Sequence, residues 1–273
     1  MKRVDLHIHS DRSDGLLSPS ELAVRLVGSG LECVALTDHN VVEGIAEIRD
    51  ALRGSEVQIV DGVEMSVEDQ EAGEIHMLGY GIDTEAAPLR QLLGYLVARK
   101  RVQISRMIER LQEEGLNVNP QDVLGSDATR YVGRQALARA LIEKKMVGTV
   151  GEAFARYLGR KGRAYMPMGA IAPEEGVAAI HQAGGLAVLA HPSVELLDAC
   201  LTRLVKAGMD GIEVYRRTGG GNEELYAEMV AEDFGLCSTG GSDWHGEAGD
   251  GALGEFWVKD EKLLGFFRRP ELQ

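Results

Sequence analysis

Short apolar runs in this chain stop, one after another, on a histidine or a carboxylate. In Arg3-Val4-Asp5-Leu6-His7-Ile8-His9 the apolar residues alternate with Asp5, His7 and His9, the period of two that describes a strand. Cys33-Val34-Ala35-Leu36 runs into Thr37-Asp38-His39-Asn40, and Val57-Gln58-Ile59-Val60 into Gly62-Val63-Glu64. The run from Gly185 ends in Ala190-His191-Pro192, and the run from Leu236 to Gly240 leads into Gly241-Ser242-Asp243-Trp244-His245. Runs this short, separated by helical sequence, read as buried parallel strands joined by helical crossovers. Such a fold gathers its chemistry at the carboxyl ends of its strands, where these polar residues fall.

The sequence between the runs supports that reading. Ser18-Pro19-Ser20-Glu21 supplies an N-cap serine, a proline at the first helical position and a capping-box glutamate, so a helix runs from there to Gly28 or Gly30. Further helices are expected over Gly44 to Leu52, Pro173 to Ala183, Leu196 to Ala207 and Asn222 to Phe234. Asp210 to Tyr215 reads as a strand, and Glu74-Ile75-His76-Met77-Leu78-Gly79-Tyr80 as another that carries His76. Between them the rhythm breaks. From about Thr84 to Gly162 the pattern is helical without strands, in three stretches: Leu89 to Gly115, Tyr131 to Lys145 and Val150 to Leu158. The expected division is an α/β body of residues 1–83 and 166–273, with residues 84–165 as an inserted helical subdomain.

Charge separates the two parts. The chain of 273 residues carries a net charge of −14, which argues against non-specific binding of nucleic acid or anionic membrane by the whole surface. Yet the insertion holds fifteen Lys and Arg against eight Asp and Glu, so it is the segment suited to anions. No membrane association and no stable DNA partner are expected. The three cysteines, Cys33, Cys200 and Cys237, are widely spaced and suggest no disulfide framework. With neither a signal-peptide core nor an apolar run of membrane-spanning length, the cytoplasm is the default compartment.

His7 and His9 share a strand face about 6.5 to 7 Å apart, close enough to converge on one cation, and Asp14 hangs in the turn beyond them. Of the seven histidines, six (His7, His9, His39, His76, His191, His245) are read at or just beyond strand ends, with Asp14, Glu64 and Asp243. His181, midway through a helix, reads as a surface or packing residue. Nine nitrogen and oxygen ligands with no cysteine among them suit Zn, Mn or Fe, and are too many for one tetrahedral ion. Two or three divalent ions fit better. Gly219-Gly220-Gly221 lacks the continuation of a P-loop and reads as a flexible turn. Met65, Met77, Met107, Met166 and Met168 read as packing residues.

Taken together, His7-x-His9, Ser13-Asp14-Gly15, Thr37-Asp38-His39-Asn40, Glu64, His76, Ala190-His191-Pro192 and Ser242-Asp243-x-His245 resemble the polymerase-and-histidinol-phosphatase (PHP) family over nearly the whole chain. The resemblance implies a distorted seven-stranded (β/α) barrel, roofed by the insertion, with a trinuclear metal centre. It implies that His7, His9, Glu64 and Asp243 hold one ion, Asp14, His39 and His245 a second, and Glu64, His76 and His191 a third, with Glu64 bridging. Clustered divalent ions bring the pKa of a bridging water towards neutrality and neutralise phosphate oxygens. The expected reaction is therefore phosphate-ester hydrolysis by a metal-bridged water held by this ligand set. Asp38 is expected to orient His39 or its neighbours. No side chain stands out as the acid for the leaving group.

The insertion, with Tyr131-Val132-Gly133-Arg134 and Tyr157-Leu158-Gly159-Arg160-Lys161, is similar to that of the group acting as nucleoside 3′,5′-bisphosphate phosphatase and 5′-to-3′ exoribonuclease on short RNA. Arg134, Arg160 and Lys161 are then expected to grip phosphates of a nucleotide, AMP-like or short single-stranded RNA substrate. Gln135 and Ala136 depart from the Pro and His that the resemblance leads one to expect, and Arg216-Arg217-Thr218 is more basic than the corresponding loop should be. The alternatives are a phosphatase for another small phosphomonoester such as histidinol phosphate, an amidohydrolase, and a non-catalytic metal-binding module. Amidohydrolases share the first His-x-His, but place a bridging Lys where this chain has Glu64.

Overall fold

A computed structural model of the chain describes every residue except Met1, Leu264, Pro270, Glu271 and Gln273. The chain opens with β1 (Arg3–Ile8), α1 (Pro19–Ser29), β2 (Cys33–Leu36), α2 (Gly44–Ala51) and β3 (Gln58–Asp69). β1, β2 and β3 pair in parallel. The capping box at Ser18 and Glu21 is formed, and α1 ends on Gly30 at φ 76°, the left-handed conformation a glycine cap allows. β4 (Gly73–Tyr80) then turns back antiparallel on β3, in register from Gly62 opposite Tyr80 to Asp69 opposite Gly73.

The helical segment follows: α3 (Ala87–Glu113), α4 (Pro120–Leu124), α5 (Arg134–Glu143), α6 (Val150–Ala153) and a π-helical turn over Phe154–Leu158. Then come α7 (Pro173–Gln182), β5 (Leu186–Leu189), α8 (Val194–Lys206), β6 (Gly211–Arg216), α9 (Gly221–Phe234), β7 (Cys237–Gly241) and β8 (Val258–Lys259). Among the described residues the eight strands form one mixed sheet in the order β7-β6-β5-β4-β3-β2-β1-β8. It is nearly closed into a barrel, because the β1 end meets the segment after β7. His9 N–H donates to the Trp244 carbonyl at 2.9 Å and Trp244 N–H to the His7 carbonyl at 3.3 Å. At this seam Gly241 has no room for a side chain, since a Cβ there would collide with the Cβ and backbone nitrogen of His7.

The fold is an α/β barrel, as expected, with two differences. The seven strands expected become eight through the two-residue β8, which lies antiparallel beside β1. Pairing is also not parallel throughout, for β4 is antiparallel to both β3 and β5. The three residues between β3 and β4 make only a tight turn, whereas a parallel return needs a crossover of a dozen or more residues. β3 therefore continues past Glu64, where the sequence suggests an end, and His76 lies inside β4 opposite Ser66. Because β4 runs the other way, its first half is level with the carboxyl ends of the parallel strands.

Two apolar clusters organise the molecule. The larger fills and surrounds the sheet and takes in Leu89, Leu93 and Leu96 from the first half of α3. The smaller joins Ile104, Met107, Ile108 and Leu111 from its second half to Val132, Leu137, Leu141 and Leu158. α3, about 40 Å long at 1.5 Å per residue, thus belongs to both clusters. The cysteines are buried and unpaired.

Candidate metal centre

Glu64 is wholly buried on β3, and five imidazoles reach its two oxygens. His7 Nε2, His9 Nε2 and His39 Nδ1 lie 3.1, 3.3 and 3.1 Å from Oε2. His76 Nδ1 and His191 Nε2 both lie 2.9 Å from Oε1. The alternation of β3 puts Glu64 and Ser66 on one face, and the antiparallel register adds His76 beside them. Asp243 Oδ1 stands 3.1 Å from His9 Nε2 and 3.4 Å from His7 Nε2. Asp14 Oδ1 stands 3.2 Å from His245 Nε2. All nine candidate ligands lie in this one cluster.

Among the described residues, three overlapping groups place ligand atoms within 4.8 Å of one another: His9, Asp14, His39 and His245; His7, His9, Glu64 and Asp243; and His39, Glu64 and His76. His191 joins the last side, with Nε2 3.3 Å from His76 Nδ1. The donor set fits cations on its own terms. Among the described residues, His9 Nδ1, 4.0 Å from Asp14 Oδ1, has no hydrogen-bond partner, and the approaches of His245 Nε2 to Asp14 Oδ1 and of His39 Nδ1 to Glu64 Oε2 are not aligned as hydrogen bonds. Leaving such atoms unsatisfied costs about 1 to 3 kcal/mol each, and a cation among them supplies the missing partner.

Outer groups fix which ring nitrogen faces inward. His7 Nδ1 meets Glu213 at 2.9 Å, His76 Nε2 meets Glu74 at 3.3 Å, and His245 Nδ1 meets the Asp243 carbonyl at 2.9 Å. Glu213 also accepts the His191 N–H at 2.7 Å. Asp38 turns away from the His39 ring. It accepts hydrogen bonds from the Ser10 N–H, the Ser10 hydroxyl and the Ser13 hydroxyl at 2.8, 2.6 and 2.6 Å, which holds the turn that carries Asp14. Asp5, its pKa pushed up to about 6 by burial, does the same for Ser242, one residue before Asp243. Asn40, His191 and Asp243 adopt φ of 54°, 29° and 54°. Non-glycine residues in this region store about 1 to 3 kcal/mol each, a cost met at functional sites.

The electrostatics set protons against metal. Burial drives the His39 pKa down to about 3, so that ring is neutral and ready to ligate. Burial also pulls on His76 and His245, but carboxylates outweigh it. Glu64 and Glu74 raise His76 to about 9, and Asp14 and Asp243 raise His245 to about 10. In the metal-free protein these two rings hold protons that a cation must displace.

Over the cluster lies a cavity of about 190 Å³, lined by Asp14, His39, His76, His191, Asp243 and His245 below. Above stand Glu74, Lys100, Tyr131, Arg134, Gln135 and Phe154. Arg134 begins α5, with Nη2 3.2 Å from Glu74 and its guanidinium 5.5 and 5.9 Å from the rings of Phe154 and Tyr165. Arg160 lies elsewhere. Its guanidinium is bound by the carbonyls of Glu71 and Ala72, and it lines a cavity outside the β3–β4 hairpin. Lys161 is exposed and does not line the cavity over the cluster. Arg216 and Arg217 tie down loops, through the His191 carbonyl at 3.2 Å and through Gly249 and Asp250 at 2.7 and 2.9 Å. His181 pairs with Asp210 at 2.7 Å, away from the cluster.

Sequence reasoning missed Glu74, Glu213 and Lys100, although each leaves a trace. Glu74 precedes His76 by two and so shares its strand face, Glu213 interrupts an apolar strand, and Lys100 interrupts the apolar stripe of α3 between Leu96 and Ile104.

The profile of the PHP domain matches residues 5–140. A 5′-3′ exoribonuclease of Haemophilus influenzae is 31% identical over 259 residues, covering 93% of this chain and 94% of that protein. A phosphoribosyl 1,2-cyclic phosphate 1,2-diphosphodiesterase of Eggerthella lenta is 30% identical over 90% of this chain and 95% of its own length. A 3′,5′-nucleoside bisphosphate phosphatase of Chromobacterium violaceum is 30% identical over 91% and 90%. Among solved structures, a Bifidobacterium adolescentis protein to which a metal-dependent phosphoesterase role is ascribed superposes with a TM-score of 0.83. It is 29% identical, over 95% of this chain and 93% of that one.

Proposed function

The chain belongs to the PHP domain family of metal-dependent phosphoesterases, and from that membership we propose that it hydrolyses a phosphate ester of a nucleotide or of the end of a short RNA. The observation that carries the proposal is the facing of two charges across one small cavity: nine convergent ligands below, Arg134 and Lys100 above. Two or three divalent ions, Mn, Fe or Zn, held by His7, His9, Asp14, His39, Glu64, His76, His191, Asp243 and His245, would activate a water and neutralise phosphate oxygens.

The chain's own residues do the rest. Glu64 serves both sides of the cluster, while Glu213 and Glu74 keep His7 and His76 in the ligating tautomer. Arg134, anchored at Glu74 and braced by two rings, presents its remaining N–H groups to a phosphate. At about 190 Å³ the cavity is smaller than the roughly 300 to 1,000 Å³ that encloses a whole small ligand. It takes the phosphate end of a substrate and leaves the nucleoside outside, which suits a chain end better than the middle of a strand.

Relatives named for an exoribonuclease, a bisphosphate phosphatase and a cyclic-phosphate diesterase are about equally similar to this chain, so a panel of substrates is the test. Stripped protein with Mn restored is given adenosine 3′,5′-bisphosphate, AMP, histidinol phosphate, a cyclic ribose phosphate and a short 5′-phosphorylated RNA. Preference for the bisphosphate or the RNA is expected. Turnover confined to histidinol phosphate or to the cyclic ester would contradict the nucleotide reading.

A further inference from the structure

Lys100 is the unexplained cation of the site. It projects from α3, the helix shared by both apolar clusters, and is 2% exposed, yet it lines the cavity over the ligand cluster. A lysine is almost never buried unless paired, and this one pairs with Glu74, a carboxylate buried to the same degree. Glu74 is already well supplied. It also receives Arg134 at 3.2 Å, the Gln103 amide at 3.1 Å and His76 Nε2 at 3.3 Å. The ammonium has three N–H donors, and among the described residues its hydrogen bonds go to Glu74 alone. Two donors are left, on a residue that lines the cavity over the ligand cluster.

The reaction needs such a group, because an alkoxide is a poor leaving group unless it receives a proton. The other roof residues do not serve. Arg134 does not give up a proton, Gln135 has none to transfer, and the Tyr131 hydroxyl lies back against Gly133 of its own loop. We propose that Lys100 is a catalytic residue of this hydrolysis, meeting the leaving ester oxygen with an N–H that Glu74 leaves free and protonating it as the P–O bond breaks. Hydroxide adds to phosphorus and forms the new P–O bond. The electron pair of the old P–O bond goes to the leaving oxygen, the proton comes from Nζ, and solvent returns a proton to the amine. Burial, which lowers the Lys100 pKa, makes it a better donor than a lysine in water. Glu74 then has two tasks, holding the ligating tautomer of His76 and aiming Lys100.

The inference rests on the phosphoesterase reading, and its test separates the two. Lys100→Met removes the donor; Lys100→Arg keeps the charge and the pair with Glu74 but has no proton to give. Each is compared with wild type on a nucleotide that the wild type hydrolyses and on the same nucleotide with sulfur as the bridging ester atom. A thiolate leaves without a proton. Both variants should lose about 10² to 10³-fold in kcat on the oxygen ester and less than about threefold on the sulfur ester, at matched metal content. Equal losses on the two esters, or no loss on the oxygen ester, would overturn the role of Lys100 and leave the phosphoesterase reading standing. A wild type that cleaves neither ester would overturn both.

Discussion

Glu64 and Asp243 are both carboxylates among histidines, but they differ in what holds them. Asp243 has a side chain 45% exposed and lies beside His7 and His9, whereas Glu64 is fully buried under five imidazoles. Asp243→Ala should therefore abolish turnover, by about 10²-fold or more if it acts on the reacting centre, with the thermal midpoint little changed. Wild-type rates at matched metal content would remove Asp243 from the ligand set. Glu213→Ala frees Nδ1 of His7, and the metal affinity measured by competition with a chelator should fall about 10 to 100-fold, the range for outer partners of ligating histidines. Arg134→Ala should lower kcat/KM by about 1.5 to 3 kcal/mol, the worth of a hydrogen bond to a charged group. Arg160→Ala, on the far side of the hairpin, should leave kcat/KM unchanged within about threefold. Equal effects of the two would contradict the placement of Arg134 over the cluster.

The elements explain what could be read in the sequence and what could not. Parallel strands ending in polar residues, with capped helices between, are local patterns, so β1, β2, β5 and β7 and the candidate ligands beyond them could be read directly. The antiparallel β4 could not be separated from its neighbours by periodicity, since a strand alternates identically in either direction; only the short turn after Asp69 reveals it. His76 was legible as a residue and misread as a position. Glu74, Glu213 and Lys100 were hidden for a different reason. Their roles depend on which elements meet, and nothing local says that α3 crosses β4 at Glu74. Arg160 failed the other way, because a basic residue in a basic segment carries no address, and the fold turns it towards the carbonyls of Glu71 and Ala72.

For the molecule as a whole, the cluster couples stability to pH in opposite senses with and without metal. His76 and His245 have folded pKa values near 9 and 10, above the unfolded value of about 6.5. Their contribution in the stripped protein is complete below about pH 6.5 and is lost as pH rises through 9 and 10. Calorimetry of the stripped protein should show a falling midpoint over that span, while chelator competition should show metal affinity rising over it, as protons leave the ligands. A stripped protein whose stability rises with pH there would contradict the pairing of these rings with Glu64, Glu74, Asp14 and Asp243. Among the described residues no helix is long and apolar enough to cross a membrane.

The proposed hydrolysis requires a cluster centred on Glu64 to bind more than one divalent ion. The most direct measurement titrates stripped protein with Mn while following bound metal per chain and phosphate release from adenosine 3′,5′-bisphosphate in the same samples. Release should be absent without metal and should rise steeply only as the second and third ions bind. Full release from metal-free protein, or saturation of binding at a single ion with no release, would contradict it.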